Sequence, residues 1–184
     1  MGAGNRVEVT AGFCILWAMM ILILPLKFLL AAMTAAMIHE VCHILAVWFT
    51  GGRILGFTLG AGGLTMDVVP MPPGAELICA LAGPGGSLLL GLAPVPELAV
   101  CGLIQGLFNL IPLMPMDGGR ALGCLLELTA PDHRICIQNA LEFLVLGALL
   151  GLILVFRAGL AGFGVWMLLV MRKFPCKPWG KAVQ

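Results

Sequence analysis

Long apolar runs, separated by short clusters of glycine, proline and charge, organise this chain. The first run covers about 9–24 and is stopped by Pro25 and Lys27. A second, at about 28–49, would be roughly 33 Å long as a helix, which matches the core of a bilayer. The stretch that follows, "TGGRILGFTLGAGGLTMDVVPMPPG", holds too much Gly and Pro for a continuous helix. Within it Ile54, Gly56, Thr58 and Gly60 alternate with Leu55, Phe57 and Leu59, and Leu64, Met66 and Val68 alternate again. That period of two, with "GAGG" as the turn, predicts a small β-hairpin. A third run, about 75–93, carries the interruption "AGPGG". After the turn "PVPE" a fourth begins near Leu98, meets "NLIPLMPMDGGR" and resumes as "ALGCLLEL". Pro112 and Pro115 remove backbone donors in that stretch, so the fourth span is predicted to be broken. A loop with Asp132, His133 and Arg134 leads to a fifth span at about 137–156, and a short sixth fills about 159–171.

Composition turns these runs into a fold class. Of 184 residues, 61% are hydrophobic and 10% charged, where a soluble globular protein has about 45–50% and 25%. The expectation is an all-α polytopic membrane protein of about six transmembrane helices, with a small β-hairpin or re-entrant loop after the second. No soluble domain, linker or internal repeat is visible, so 1–184 reads as one membrane-embedded domain. The basic tail "RKFPCKPWGKAVQ" is expected on the cytoplasmic side, and six spans would put Arg6 there too. The first run lacks a small-residue cleavage site and reads as a retained span. A net charge of +1 and the lack of a basic patch interleaved with aromatics argue against nucleic acid as a partner. Seven scattered cysteines with no C-x-x-C pair read as packing residues, as do Met-rich stretches such as "WAMM".

One stretch resists that bland reading. "AAMIHEVCHILAVW" places His39, Glu40 and His43 in the second apolar run, although the chain has three histidines in all. Ionisable residues at membrane depth cost ~2.5–3.5 kcal/mol and mark function. On a helix His39 and His43 lie one turn apart and only ~40° around the axis, so both rings reach one ion. Glu40, next to the first, fits the H-E-x-x-H arrangement in which the carboxylate is a general base. The structural alternative is a polar cluster hydrogen-bonded to neighbouring helices. A catalytic zinc takes a third protein ligand, and the candidates are Asp67, Glu76, Glu97, Asp117, Glu127, Asp132, His133 and Glu142. Asp117 stands apart because it follows the Pro-broken stretch inside an apolar span. Non-helical backbone at that depth must be buried in protein or line a wet cavity. Gly118 and Gly119 would let it pack closely against the helix of the histidines.

"HEVCH" followed some seventy residues later by "NLIPLMPMDGG" resembles the site-2 family of intramembrane zinc metalloproteases. The resemblance covers about 28–126 and leans toward the compact bacterial branch that includes the sporulation stage IV protein FB. It implies that His39, His43 and Asp117 bind Zn2+, that Glu40 is the catalytic base, and that Asn109 helps hold the substrate backbone while Pro112 and Pro115 shape the break. It also implies a catalytic core at about 28–130 with accessory helices at 9–24, 137–156 and 159–171. The implied partner is a membrane-embedded or membrane-associated protein substrate, such as an anti-sigma factor, a tethered transcription-factor precursor or a signal-peptide remnant. The implied location is multi-pass in a bacterial cytoplasmic membrane. Two departures stand out. The family often has Asn shortly after A-G-P, where this chain reads "AGPGGS", so Ser87 receives no substrate role; and Met116 stands where Leu is commoner. No regulatory domain is expected in the tail, which leaves cavity access, with or without a membrane partner, as the control point. A divalent-metal binding or transport protein and an inactive partner subunit are the alternatives. The hairpin at 53–69 could take an extended substrate by strand addition, or be an interfacial loop.

Overall fold

The structure is a computed structural model and describes residues 6–60 and 63–156. In chain order it runs β1 (Arg6–Val9), α1 (Ala11–Ile23), α2 (Leu26–Phe49), β2 (Ile54–Gly60), β3 (Gly63–Val68), α3 (Pro73–Leu89), a 3-10 turn (Leu90–Leu92), α4 (Pro96–Asn109), α5 (Asp117–Thr129), a second 3-10 turn (Pro131–His133) and α6 (Arg134–Phe156). Pro25 separates α1 from α2, because a proline cannot continue the helix before it but suits the start of the next. At the far end of α2, Thr50 folds its hydroxyl back to the Ala46 carbonyl at 2.8 Å, and Gly51 at φ +75 turns the chain out of the helix.

The hairpin is present, and it is part of a larger sheet. β2 pairs antiparallel with β3, with Phe57 opposite Met66 and Leu59 opposite Leu64. β1 pairs parallel with its other side, Arg6 opposite Gly56 through Val9 opposite Leu59. The hairpin's second strand, not its first, therefore presents one of the sheet's two outer edges. Met66 and Val68 turn inward onto Ala46, Val47 and Cys79, which fixes the sheet against α2 and α3.

Helix α3 is the hub: it packs against α2, α4 and α5. The sequence suggested an interruption at "AGPGG", yet α3 is helical throughout, with Pro84 inside it. The glycines flanking Pro84 carry no Cβ to crowd the turn around the ring, and neighbouring helices enclose it, conditions under which an apolar helix tolerates proline. The break predicted in the fourth span is real. The chain leaves helix at Leu110 and re-enters it at Asp117, with a cis peptide between Met114 and Pro115. An ion pair from Arg134 to Glu127 ties the start of α6 to α5.

Among the described residues two helices, Leu26–Phe49 and Pro73–Leu92, are long and apolar enough to cross a membrane, so the count of six is not reached there. At 13 residues, Ala11–Ile23, α1 is shorter than the predicted first span, whose first residue, Val9, pairs as a strand with Leu59. The sixth span at 159–171 and the basic tail lie outside the described residues. The distribution of polarity is inverted relative to a water-soluble protein. Leu22 and Leu92 are each 85% exposed, while His39, His43, Ser87, Asp117 and Glu142 are buried.

Candidate metal centre

Helix geometry brings His39 and His43 to the face of α2 that meets α3, and the first residue of α5, Asp117, completes the group. The three ligand-type atoms form a nearly equilateral triangle. His39 Nε2 lies 3.1 Å from Asp117 Oδ2, His43 Nε2 lies 3.2 Å from it, and the two Nε2 atoms are 3.1 Å apart. Four ligands around zinc at ~2.0–2.1 Å have tetrahedral edges of about 3.3–3.4 Å, so the triangle is nearly one face of that tetrahedron. All three residues are buried, and they are the one group of this kind among the described residues.

Proton bookkeeping supports the same fit. His43 Nδ1 is 2.7 Å from the Cys79 carbonyl, which can only accept, so Nδ1 carries the proton and Nε2 of the neutral ring presents a lone pair. His39 Nδ1 is 2.8 Å from the Ser87 hydroxyl. When Nδ1–H donates to Ser87, His39 Nε2 presents a lone pair as well. Two imidazole lone pairs and a carboxylate oxygen then converge with little between them but repulsion, which a divalent cation turns into coordination. The residues present fit zinc.

Close contacts explain the glycines. A Cβ on Gly83 would lie 2.1 Å from His43 Nε2, so α3 presents bare backbone to the ring. A Cβ on Gly118 would lie 2.2 Å from the Leu110 carbonyl oxygen, and one on Gly119 would lie 2.5 Å from that of Leu113. Gly118 and Gly119 therefore admit the folded-back stretch Leu110–Met116, and not the histidine helix as the sequence suggested; Gly83 serves that helix.

Glu40 sits within electrostatic reach of His43, His39 and Asp117, with the Leu64 backbone amide as a hydrogen-bond partner. Its Oε2 is buried without a protein partner. A buried carboxylate oxygen in that condition calls for a water or a polar ligand. Of the other predicted residues, Asn109 ends α4 and donates to the Gln105 carbonyl at 3.1 Å, while Pro112 and Pro115 both lie in the break. Asp67, Glu76, Glu97, Glu127, Asp132, His133 and Glu142 are outside the cluster. Sequence reasoning missed Ser87, the Cys79 carbonyl and Gly83. The sequence's one serine, set inside an apolar run, was the available signal for the first; a backbone carbonyl leaves none.

The architecture defines a class: it is the fold of a site-2 protease. The structure of "Site-2 Protease from Methanocaldococcus jannaschii" aligns with a TM-score of 0.67 at 20% identity, covering 100% of this chain and 94% of that one. A protein of Synechocystis sp. described as "Putative zinc metalloprotease sll0528" is 35% identical over 46% of this chain and 27% of its own length. The chain thus spans about a quarter of that relative. No family model matches. The two likenesses bear out the family resemblance carried by the motifs, and neither touches the sporulation branch.

Proposed function

We propose that the chain is an intramembrane zinc metalloendopeptidase of the site-2 family, cutting a peptide bond of a membrane-embedded or membrane-associated protein. The observation that carries this reading is the triangle of His39, His43 and Asp117 beside a carboxylate, Glu40, whose Oε2 has no protein partner. Zinc held there would polarise the scissile carbonyl and bring the pKa of a water ligand toward ~7. Glu40 takes the proton from the attacking water as the C–O bond forms, and returns it to the amine as the C–N bond breaks. Ser87 and the Cys79 carbonyl hold the two rings with their Nε2 atoms beside Asp117 Oδ2, and these three atoms would hold the ion. Asn109, Pro112 and Pro115 frame the place where substrate backbone would lie.

The peptide must be extended to expose its carbonyls. The outer edge of β3 suits this, because the Leu64 amide points away from β2 and toward Glu40. A substrate strand added there would run past the base. The apolar exterior and the two long apolar helices support a multi-pass place in a cell membrane.

The test is to purify the full chain in detergent, count zinc, and follow new termini by mass spectrometry in a library of single-span peptides. Glu40→Gln should keep one zinc per chain and lose about 10²–10⁴-fold in cleavage rate, the usual worth of a general base. Undiminished cleavage in that variant would refute the assignment. Zinc flux into vesicles without any cleavage would favour a transporter.

A further inference from the structure

One acidic side chain outside the cluster is as deeply buried as the ligands. Glu142, on α6, is 7% exposed against 8% for Asp117. A buried carboxyl group is retained for a partner or a task. Its Oε1 accepts the Met114 backbone N–H at 3.4 Å, and that amide lies inside the break, where no helical ladder runs. The same face of α6 continues with Val145, Leu146 and Leu149, which pack on Leu113 and Met116. Helix α6 thus grips the break on both sides of the Met114–Pro115 pair, by a carboxyl oxygen at the Met114 amide and by apolar contact at Leu113 and Met116. Behind the break, the Cβ-less Gly118 and Gly119 lie flush with Leu110 and with Leu113–Met114. A displacement of the Met114 peptide is therefore transmitted to the first turn of α5, which begins with Asp117.

We infer that Glu142 is a positioning residue for the metal centre: it sets the Met114 amide, and through it Asp117, from a helix that carries none of the three ligands. The inference rests on the reading of His39, His43 and Asp117 as a metal site. It makes metal affinity depend on an acceptor oxygen at residue 142, not on negative charge there.

The test uses the full chain in detergent and Co2+ as the probe, read by its visible absorption bands and by competition with a chelator, beside thermal unfolding. Glu142→Leu removes the acceptor, Glu142→Asp withdraws it by one methylene from a bond already long, and Glu142→Gln keeps an acceptor oxygen at full reach. Co2+ affinity should fall about tenfold or more in the Leu variant, the low end of the range for residues that orient ligands. It should fall less in the Asp variant and stay within about threefold of the parent in the Gln variant, with altered band shapes in the first two. If the Leu variant does not fold, the comparison of Asp with Gln carries the result. Affinities within twofold of the parent for both Leu and Asp would overturn the inference, as would a Gln variant as weak as the Leu one. A parent that binds no Co2+ would overturn the metal-site reading beneath it, an outcome distinct from either.

Discussion

Removing one hydroxyl, by Ser87→Ala, tests how the site prepares His39. The hydroxyl is 2.8 Å from His39 Nδ1; Ser87 is 0% exposed and His39 3%. No solvent can replace the lost partner, and the void left by one oxygen is too small for a water. A buried donor without an acceptor costs about 1–3 kcal/mol. In the metal-free variant the ring escapes that cost by moving its proton to Nε2 and donating to Asp117 Oδ2, 3.1 Å away. Metal binding must reverse the move, so the whole cost falls on affinity. At ~1.4 kcal/mol per decade, 1–3 kcal/mol is a loss of roughly 5- to 140-fold in zinc affinity.

The assay is chelator competition on the purified chain, with Thr34→Ala as the control. Thr34 lies on α2 with His39, but its hydroxyl bonds the Leu30 carbonyl of that helix at 2.9 Å, so that variant should bind zinc like the parent. An affinity for Ser87→Ala within twofold of the parent would refute the reasoning. It would mean that His39 reaches its metal-binding tautomer without help from α3.

Two further outcomes follow from the same contacts. Gly83→Ala should eliminate zinc binding while the chain still folds, because the new methyl lies 2.1 Å from His43 Nε2 although alanine favours helix; full metal occupancy would contradict this. For strand addition, a cysteine at exposed Thr65 on β3 should crosslink to a cysteine-bearing substrate peptide in a Glu40→Gln background, whereas one at exposed Val7 on β1 should not. The reverse pattern would move the substrate to the other edge of the sheet.

Much of the site was legible because it is written in short-range geometry. The i, i+4 spacing of His39 and His43 fixes their common face, and two prolines on either side of Leu113–Met114 force the break that frees Asp117 from the helix before it. The hairpin was legible from its period of two. Strand β1 was not, since the alternation of Arg6, Val7, Glu8 and Val9 is only four residues long and merges into an apolar run, and its parallel partner is fifty positions away. Pro84 misled because the rule that proline breaks helices is calibrated on helices in water. Glu142 stood among the ligand candidates as an ionisable residue in an apolar run; that it meets a backbone amide and not a metal depends on how α6 crosses the break.

The two motifs supply His39, His43 and Asp117, but α3, which belongs to neither, supplies the contacts of both rings. It supplies the Ser87 hydroxyl to one ring, the Cys79 carbonyl to the other and the bare Gly83 backbone beside it. Cys79 directly precedes Ala80, whose carbonyl loses its helical donor to Pro84, so the partner for His43 comes from the part of α3 where the ladder is already open. The proline and glycines that looked like a break in a span are therefore a means of letting one helix lie against two imidazoles. This implies an order of sensitivity. Substitutions on the α2-facing side of 79–87 should change metal affinity, while those on the outer side of the same helix, such as exposed Ile78 and Leu81, should leave it unchanged.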